Sequence, residues 1–413
     1  MIIHSYHIRL LTIDNKLPMS KKEETQSNSR RNFFRLLTAS GAGLVLSPVM
    51  AAAPAEAAEH PQPAKPATNI KDTLKYPRNE SSMPGHFPGR VTQVNHPGCI
   101  HEQVIQQAVV DQMLTAAMLD LTGKKTVKKA WRKFVSPDDI IGLKVNPVAG
   151  KLLTTSHELV KAVIAQLEQA GIPRKNIVIW DRREMELQET GFLPENYPGI
   201  KISGTEQKDA KGSFFDANGK LYGESMIDKE WSYWADVEGA YDEYTMPYMV
   251  NGGKHSYFTR ICTQQVTKII NLPILKNAGA SVTLCMKNLA FGAISNTGRL
   301  HEKLWHDTVA EVCAFPPLRD KVVLNIVDGL IGCYNGGPAA NPQFICHYNL
   351  LLAGSDAVAV DRIGLNIISK KRIEMNLQKE ENPSASQFLR RAGELGLGIC
   401  DNSRITLKKI DLA

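Results

Sequence analysis

From about residue 91 onward the chain alternates short apolar runs with longer stretches whose apolar residues recur at helical spacing. "DDIIGLKVNP" (138–147) is a β-like run that ends in polar residues. In "TSHELVKAVIAQLEQAG" (155–171), Leu159, Val163 and Leu167 with Val160 and Ile164 form one helical stripe. Thr155 and Glu158 fit a capping box at its start, and Gly171 fits its stop. "NIVIWD" (176–181) follows as a second strand, so the three segments make a β-α-β unit with a right-handed crossover.

The rhythm breaks over about 190–260. Trp231, Tyr233, Trp234, Tyr241, Tyr244 and Tyr248 crowd there beside the turn "DANGK", which predicts an irregular, aromatic-rich, partly β insertion. It then resumes. "VTKIINLP" reads as a strand, "LHEKLWHDTVAEVCAF" as a helix, "KVVLNIVDG" and "YNLLLAGS" as strands, and "DAVAVDRIGLNIIS" and "SASQFLRRAGELG" as helices. The fold class is therefore α/β: a mostly parallel sheet with flanking helices, built from β-α-β units. Ligands of such sheets bind beyond the C-terminal ends of the strands. The residues at that rim are Lys144 and Asn146, Asp181 and Arg182, Asn271 and Lys276, and Asp328.

The N-terminus changes where the protein is expected to work. "SRRNFFRLLTASGAGLVLSPVM" carries Arg30 and Arg31 ahead of a weakly hydrophobic Gly/Ala stretch and small residues suited to cleavage, such as Ala55-Glu56-Ala57. It resembles a twin-arginine signal peptide over 1–57, with Met19 as the expected true start. The stretch is too short and too polar for a membrane span of roughly 20 apolar residues. The resemblance implies export by the twin-arginine translocase to the periplasm, a cleaved precursor and no stable membrane span afterwards. Residues 58–90, rich in Pro and Ala, read as a linker or extended arm before the α/β domain of 91–413.

Composition narrows the chemistry. Without residues 1–57 the chain has 42 Lys and Arg against 38 Asp and Glu, a net charge of +4, too mild for a nucleic-acid binder. None of the seven cysteines forms C-x-x-C, so an iron-sulfur cluster or zinc ribbon is not expected. His96, Cys99 and His101 in "NHPGCIH" have spacings that can clasp a transition metal, and a divalent metal stays open at this point.

In "TLCMKNLAFG" (283–292), Lys287 and Asn288 interrupt an apolar run, where a lysine must snorkel, pair or hold an anion. "INLPILKNAGASVTLCMKNLAFGAISNTGRLHEKLWHD", "NIVDGLIGCYNGGP" and "LAGSDAVAVDRIG" resemble the family of domains of unknown function numbered 362 over roughly 140–368. The resemblance implies an α/β domain with a polar pocket, whose motif positions fall here on Lys276, Thr283, Lys287, Asn288, His301, Asp328, Asp356 and Asp361. Many relatives read Lys-Thr-His where this chain has Lys276-Asn277-Ala278, and the ferredoxin-type cysteines of some are missing. Asp356 also suits a helix N-cap.

The expected function is an enzyme acting on a small anionic metabolite. Lys287 or Lys276 would stabilise charge or act as base, with Asp328 as orienting partner, His301 after a Gly- and Asn-containing loop that can close over the ligand, and Lys144, Asn146, Asn288, Thr283 and Asp361 around it. Asp328 and Asp361 can pair with the lysines or hold a hard cation. The other class in view is a non-catalytic accessory protein that holds a metal or cofactor for a respiratory or maturation system. An internal salt-bridge network without a ligand is a third reading of the same residues.

Overall fold

The computed structural model describes residues 65–207, 224–238, 253–279 and 281–413. The signal-like segment with Arg30 and Arg31 lies outside the described residues, as do Tyr241, Tyr244 and Tyr248.

Ten strands form the central sheet: β1 (Arg90–Asn95), β2 (Ile141–Lys144), β3 (Ile177–Arg183), β4 (Lys201–Glu206), β5 (Lys268–Asn271), β6 (Ile274–Ala278), β7 (Ser281–Val282), β8 (Val322–Cys333), β9 (Ile345–Gly354) and β10 (Thr406–Asp411). Their order is β10-β1-β9-β8-β5-β2-β3-β4, with β6 beside β8 and β7 beside β6. Strands β8, β5, β2, β3 and β4 run parallel, and so do β1 with β10 and β6 with β8. Strand β9 is antiparallel to both its neighbours, and β6 and β7 form an antiparallel hairpin. The fold is α/β with a mostly parallel sheet.

Both faces of the sheet are covered, which is why its strands read as continuous apolar runs. Ile177 and Ile179 of β3 pack with Ile141, Leu143 and Ile270 under α1 (Gln107–Thr122) and α2 (His157–Gln169). Val178 and Trp180 point the other way, into a second core formed with α3 (Cys285–Ala293), α4 (Trp305–Cys313), α5 (Ala357–Glu374) and α6 (Gln387–Glu394). Period two along the strand decides which core each residue joins.

Local chemistry departs from expectation in two places. The capping box of α2 does not form. Ser156 takes the N-cap position without a side-chain bond, because the Thr155 hydroxyl accepts from the Asn146 amide (2.8 Å) and donates to the Leu272 carbonyl (2.8 Å). The segment 300–315 is two helices, Leu300–Lys303 and α4, broken at Leu304. The expected stop at Gly171 is present, with φ +90°.

The described part of the insertion includes a hairpin of Ile227–Trp234 with His255–Thr259. Its buried Tyr233 donates to Glu311 of α4 (3.0 Å), and Thr68 of the N-terminal arm donates to the same carboxylate (2.7 Å). Among the described residues no helix is long and apolar enough to cross a membrane.

Candidate functional site

One row of the sheet is polar across three strands. Lys144 of β2 stands in register with Trp180 of β3 on one side and Asn271 of β5 on the other; Asn271 is in register with Asn325 of β8, and Asn325 with Gly354 of β9. Residues opposite one another in register share a face, so the three polar side chains look out from the same side of the sheet, under α3. Asn271 donates to Asn325 (2.9 Å), which donates to the carbonyls of Gly354 (3.4 Å) and Ser355 (3.3 Å).

Helix α3 supplies the hub. Asn288 accepts at Oδ1 from Lys144 (3.0 Å) and from Asn146 (2.9 Å), and donates from Nδ2 to Asn271 (2.8 Å). Asn146 in turn accepts from the Lys276 ammonium (2.8 Å). Every group in this chain is buried, so each amide must find partners, and each does. Gly292 makes the close approach possible: a Cβ there would lie 2.3 Å from Lys144 Cε.

The helix is held at its start by Asp361 of α5, whose carboxylate accepts the backbone N–H of Cys285 (2.6 Å) and of Met286 (2.9 Å). Two orphan donors of the first turn are thereby satisfied. Burial nevertheless pushes the Asp361 carboxyl up to about 7. Asp361 therefore positions α3 and is not directed at a lysine.

Three lysines reach this face, and their partners differ. Lys144, 1% exposed, forms a buried ion pair with Asp181. Burial pushes the Asp181 carboxyl upward while the Lys144 ammonium pulls it back. Lys276 and Lys287, 0% and 7% exposed, meet no carboxylate within ion-pairing distance among the described residues. Lys276 rests on the neutral amide of Asn146. Burial drives its ammonium down to about 8. Among the described residues Lys287 has one hydrogen-bond partner, the Thr283 hydroxyl at 3.5 Å, and it lies 5.6 Å from the ring centre of Phe291 and 5.2 Å from that of Trp305. Burial, with the charge of Lys276 acting in the same direction, brings it to about 7.

His301 packs against Phe291, ring centres 4.5 Å apart, and its Nδ1 meets the Thr297 carbonyl at 2.9 Å. Burial first, then the Lys287 charge, lowers it to about 3. The ring is neutral at pH 7. Only a proton on Nδ1 can serve the carbonyl, which leaves the lone pair on Nε2.

Asp328, expected beside Lys287, is elsewhere. It lies an odd number of residues beyond Asn325 on β8, on the face of Ile326, and its carboxylate accepts the N–H of Ser156 at the start of α2 (2.7 Å) and of Leu330 (3.2 Å). The expected Lys287–Asp328 pair is not formed, because the alternation of a strand sends Asn325 and Asp328 to opposite faces. Asp356 caps α5 and accepts the amides of Ala359, Gly89 and Ile399 (2.9, 2.9 and 3.0 Å). Among the described residues no three His, Cys, Asp or Glu side chains stand together as metal ligands. His96 accepts the Gly98 amide (3.0 Å) and the Cys99 thiol faces Asn349 (3.3 Å). All seven cysteines are free thiols.

Sequence reasoning missed Asn325 and the aromatic neighbours Phe291 and Trp305. The spacing Lys287 to Phe291, one helical turn, was the available signal for the latter.

No curated protein matches the chain. A crystal structure of a Thermotoga maritima protein, a structural genomics target, is 8% identical, with a TM-score of 0.31 over 64% of this chain and 59% of that one; the chain thus matches less than two thirds of that structure's length. A family model described as a domain of unknown function, DUF362, matches residues 141–366. That span is more than half of the chain and contains the polar row, the hub helix and all three lysines, so the chain belongs to the DUF362 family.

Proposed function

We propose that this protein is an exported, periplasmic enzyme acting on a small anionic metabolite. One observation carries the reading: Lys276 and Lys287 are buried amines with no carboxylate within ion-pairing distance among the described residues, whereas Lys144 has one in Asp181. Removing an ammonium from water costs several kcal/mol. A fold that answers the charge of Lys144 with Asp181 and leaves two others unanswered suits an anion supplied from outside. Lys276 and Lys287 would hold and polarise it, the Asn146 amide would fix the geometry of Lys276, and the neutral His301 would accept a hydrogen bond at Nε2. Asp328 takes no part in this reading.

Native mass spectrometry of protein purified from its own periplasm tests the reading. The expected spectrum shows one small anion per chain, released by denaturation. A bound metal ion with no anion would favour an accessory, non-catalytic role instead.

Export makes a separate prediction. Changing Arg30 and Arg31 to lysine should trap full-length precursor in the cytoplasm, read by fractionation and immunoblot. Normal processing of that variant would refute the twin-arginine route.

A further inference from the structure

The surroundings of Lys287 suit a nucleophile better than a simple anion clamp. An ammonium kept only to attract an anion is best placed among polar groups that support its charge, as Lys276 is by the Asn146 amide. Lys287 has instead the side faces of Phe291 and Trp305 and a single long contact to Thr283. Its amine sits one residue before Asn288, on a helix anchored by both Asp361 bonds and the Asn288 hub, so Nζ is carried by a rigid element. A second cation, Lys276, and a hydrogen-bond acceptor, His301 Nε2, belong to the same neighbourhood: His301 packs at 4.5 Å on the Phe291 ring that Lys287 faces at 5.6 Å, and the charge of Lys276 is felt at Lys287.

Resting on the anion-site reading above, we propose that Lys287 forms an imine with the carbonyl carbon of a small anionic aldehyde or ketone, while Lys276 holds the substrate's anionic group. The step balances without oxidant or reductant. Free Nζ adds to the carbonyl carbon, one N–H proton moves to the oxygen to give a carbinolamine, and loss of the second N–H proton with the hydroxyl releases one water and leaves C=N. Burial supplies the free amine such a step requires. At pH 7 a lysine brought to about 7 is half unprotonated, roughly a thousandfold more than one at the ordinary value.

The test is reductive trapping on the full mature chain with pyruvate, glyoxylate and pyridoxal 5′-phosphate as probes, each with cyanoborohydride, read by intact mass and peptide mapping. The expected result is one adduct per chain on Lys287 with at least one probe, formed at least about tenfold faster than on any exposed lysine. Lys287→Met should abolish it, and Lys276→Met should slow it by a similar factor at low probe concentration and recover at high. Oxalate, a dianion without an electrophilic carbonyl, is titrated in parallel by calorimetry. Oxalate binding that depends on Lys276, with adducts spread over surface lysines and none on Lys287, would overturn the imine and leave the anion site standing. The absence of both oxalate binding and trapping on Lys287 would overturn the imine and the anion site together.

Discussion

Replacing Asp181 by alanine is expected to lower the unfolding free energy by about 3–5 kcal/mol, the loss typical when one partner of a buried ion pair is removed. Lys144 cannot escape to water: it is 1% exposed, it lies under α3 with Gly292 against its stem, and Asp181 is 2% exposed. Without the carboxylate its ammonium keeps, among the described residues, the Val145 carbonyl (2.7 Å), Asn288 Oδ1 and the Trp180 ring at 5.5 Å, all uncharged. The double change Lys144→Met with Asp181→Leu should be much milder than Asp181→Ala alone, because no charge is then stranded. Urea unfolding followed by circular dichroism reads the cycle. Equal losses for the single and double variants would mean that the pair contributes no coupling.

Lys287→Met is expected to do the opposite and stabilise the protein by about 2–5 kcal/mol at pH 6, since burial that brings the group from 10.5 to about 7 corresponds to a cost on the order of 5 kcal/mol for keeping it charged. The ring faces of Phe291 and Trp305 offset part of that cost. The sign of the pH dependence follows from the two protonation states. Below about pH 7 both native and unfolded chains carry the proton, so the wild type bears the full penalty. Between 7 and 10.5 the unfolded chain binds more protons than the native one, and wild-type stability gains from this group as pH rises. The advantage of the methionine variant should therefore be largest below pH 7 and shrink steadily towards pH 10. Comparing the two proteins at each pH separates Lys287, together with its coupling to Lys276, from the titration of Asp361. Destabilisation by Lys287→Met of the size expected for Asp181→Ala, at every pH, would mean that Lys287 is a structural cation after all.

These opposite signs come from environments that look alike in the sequence. Lys144 and Lys287 both interrupt apolar runs, and nothing within either run says which one meets a carboxylate. Asp181 was legible as a rim residue, because it closes an apolar strand, yet its partnership with Lys144 depends on β2 and β3 being parallel neighbours in a particular register. The β-α-β unit, the mostly parallel sheet and the gathering of Lys144, Asn146, Asn271 and Lys276 at one rim were legible from apolar periodicity and from strand ends alone. Asp328 was misplaced for a physical reason. A strand end tells how far along the sheet a residue lies, while the face it occupies depends on parity, and counting back from Asp328 to Asn325 assigns opposite faces. The hub role of Asn288 was half legible. An asparagine in an apolar helix must be satisfied, but its three partners come from β2, the loop after it, and β5, which only the tertiary fold brings together. Antiparallel β9 and the capping at Ser156 were not legible, because Thr155 is drawn into bonds with Asn146 and Leu272 that local sequence does not announce.

The central claim is that Lys276 and Lys287 are left uncompensated for an anion. Isothermal titration of oxalate, phosphate and sulfate into the chloride-free protein, from pH 6.5 to 9, tests it most directly. The account predicts one site per chain for at least one of these anions, with affinity falling as pH rises through about 7 and 8, where Lys287 and Lys276 lose their protons. Either lysine-to-methionine change should weaken it by at least about tenfold, or 1.4 kcal/mol, and Asp328→Asn should leave it unchanged. Binding of equal strength in the Lys276→Met, Lys287→Met double variant, or no anion binding at any pH, would contradict the account.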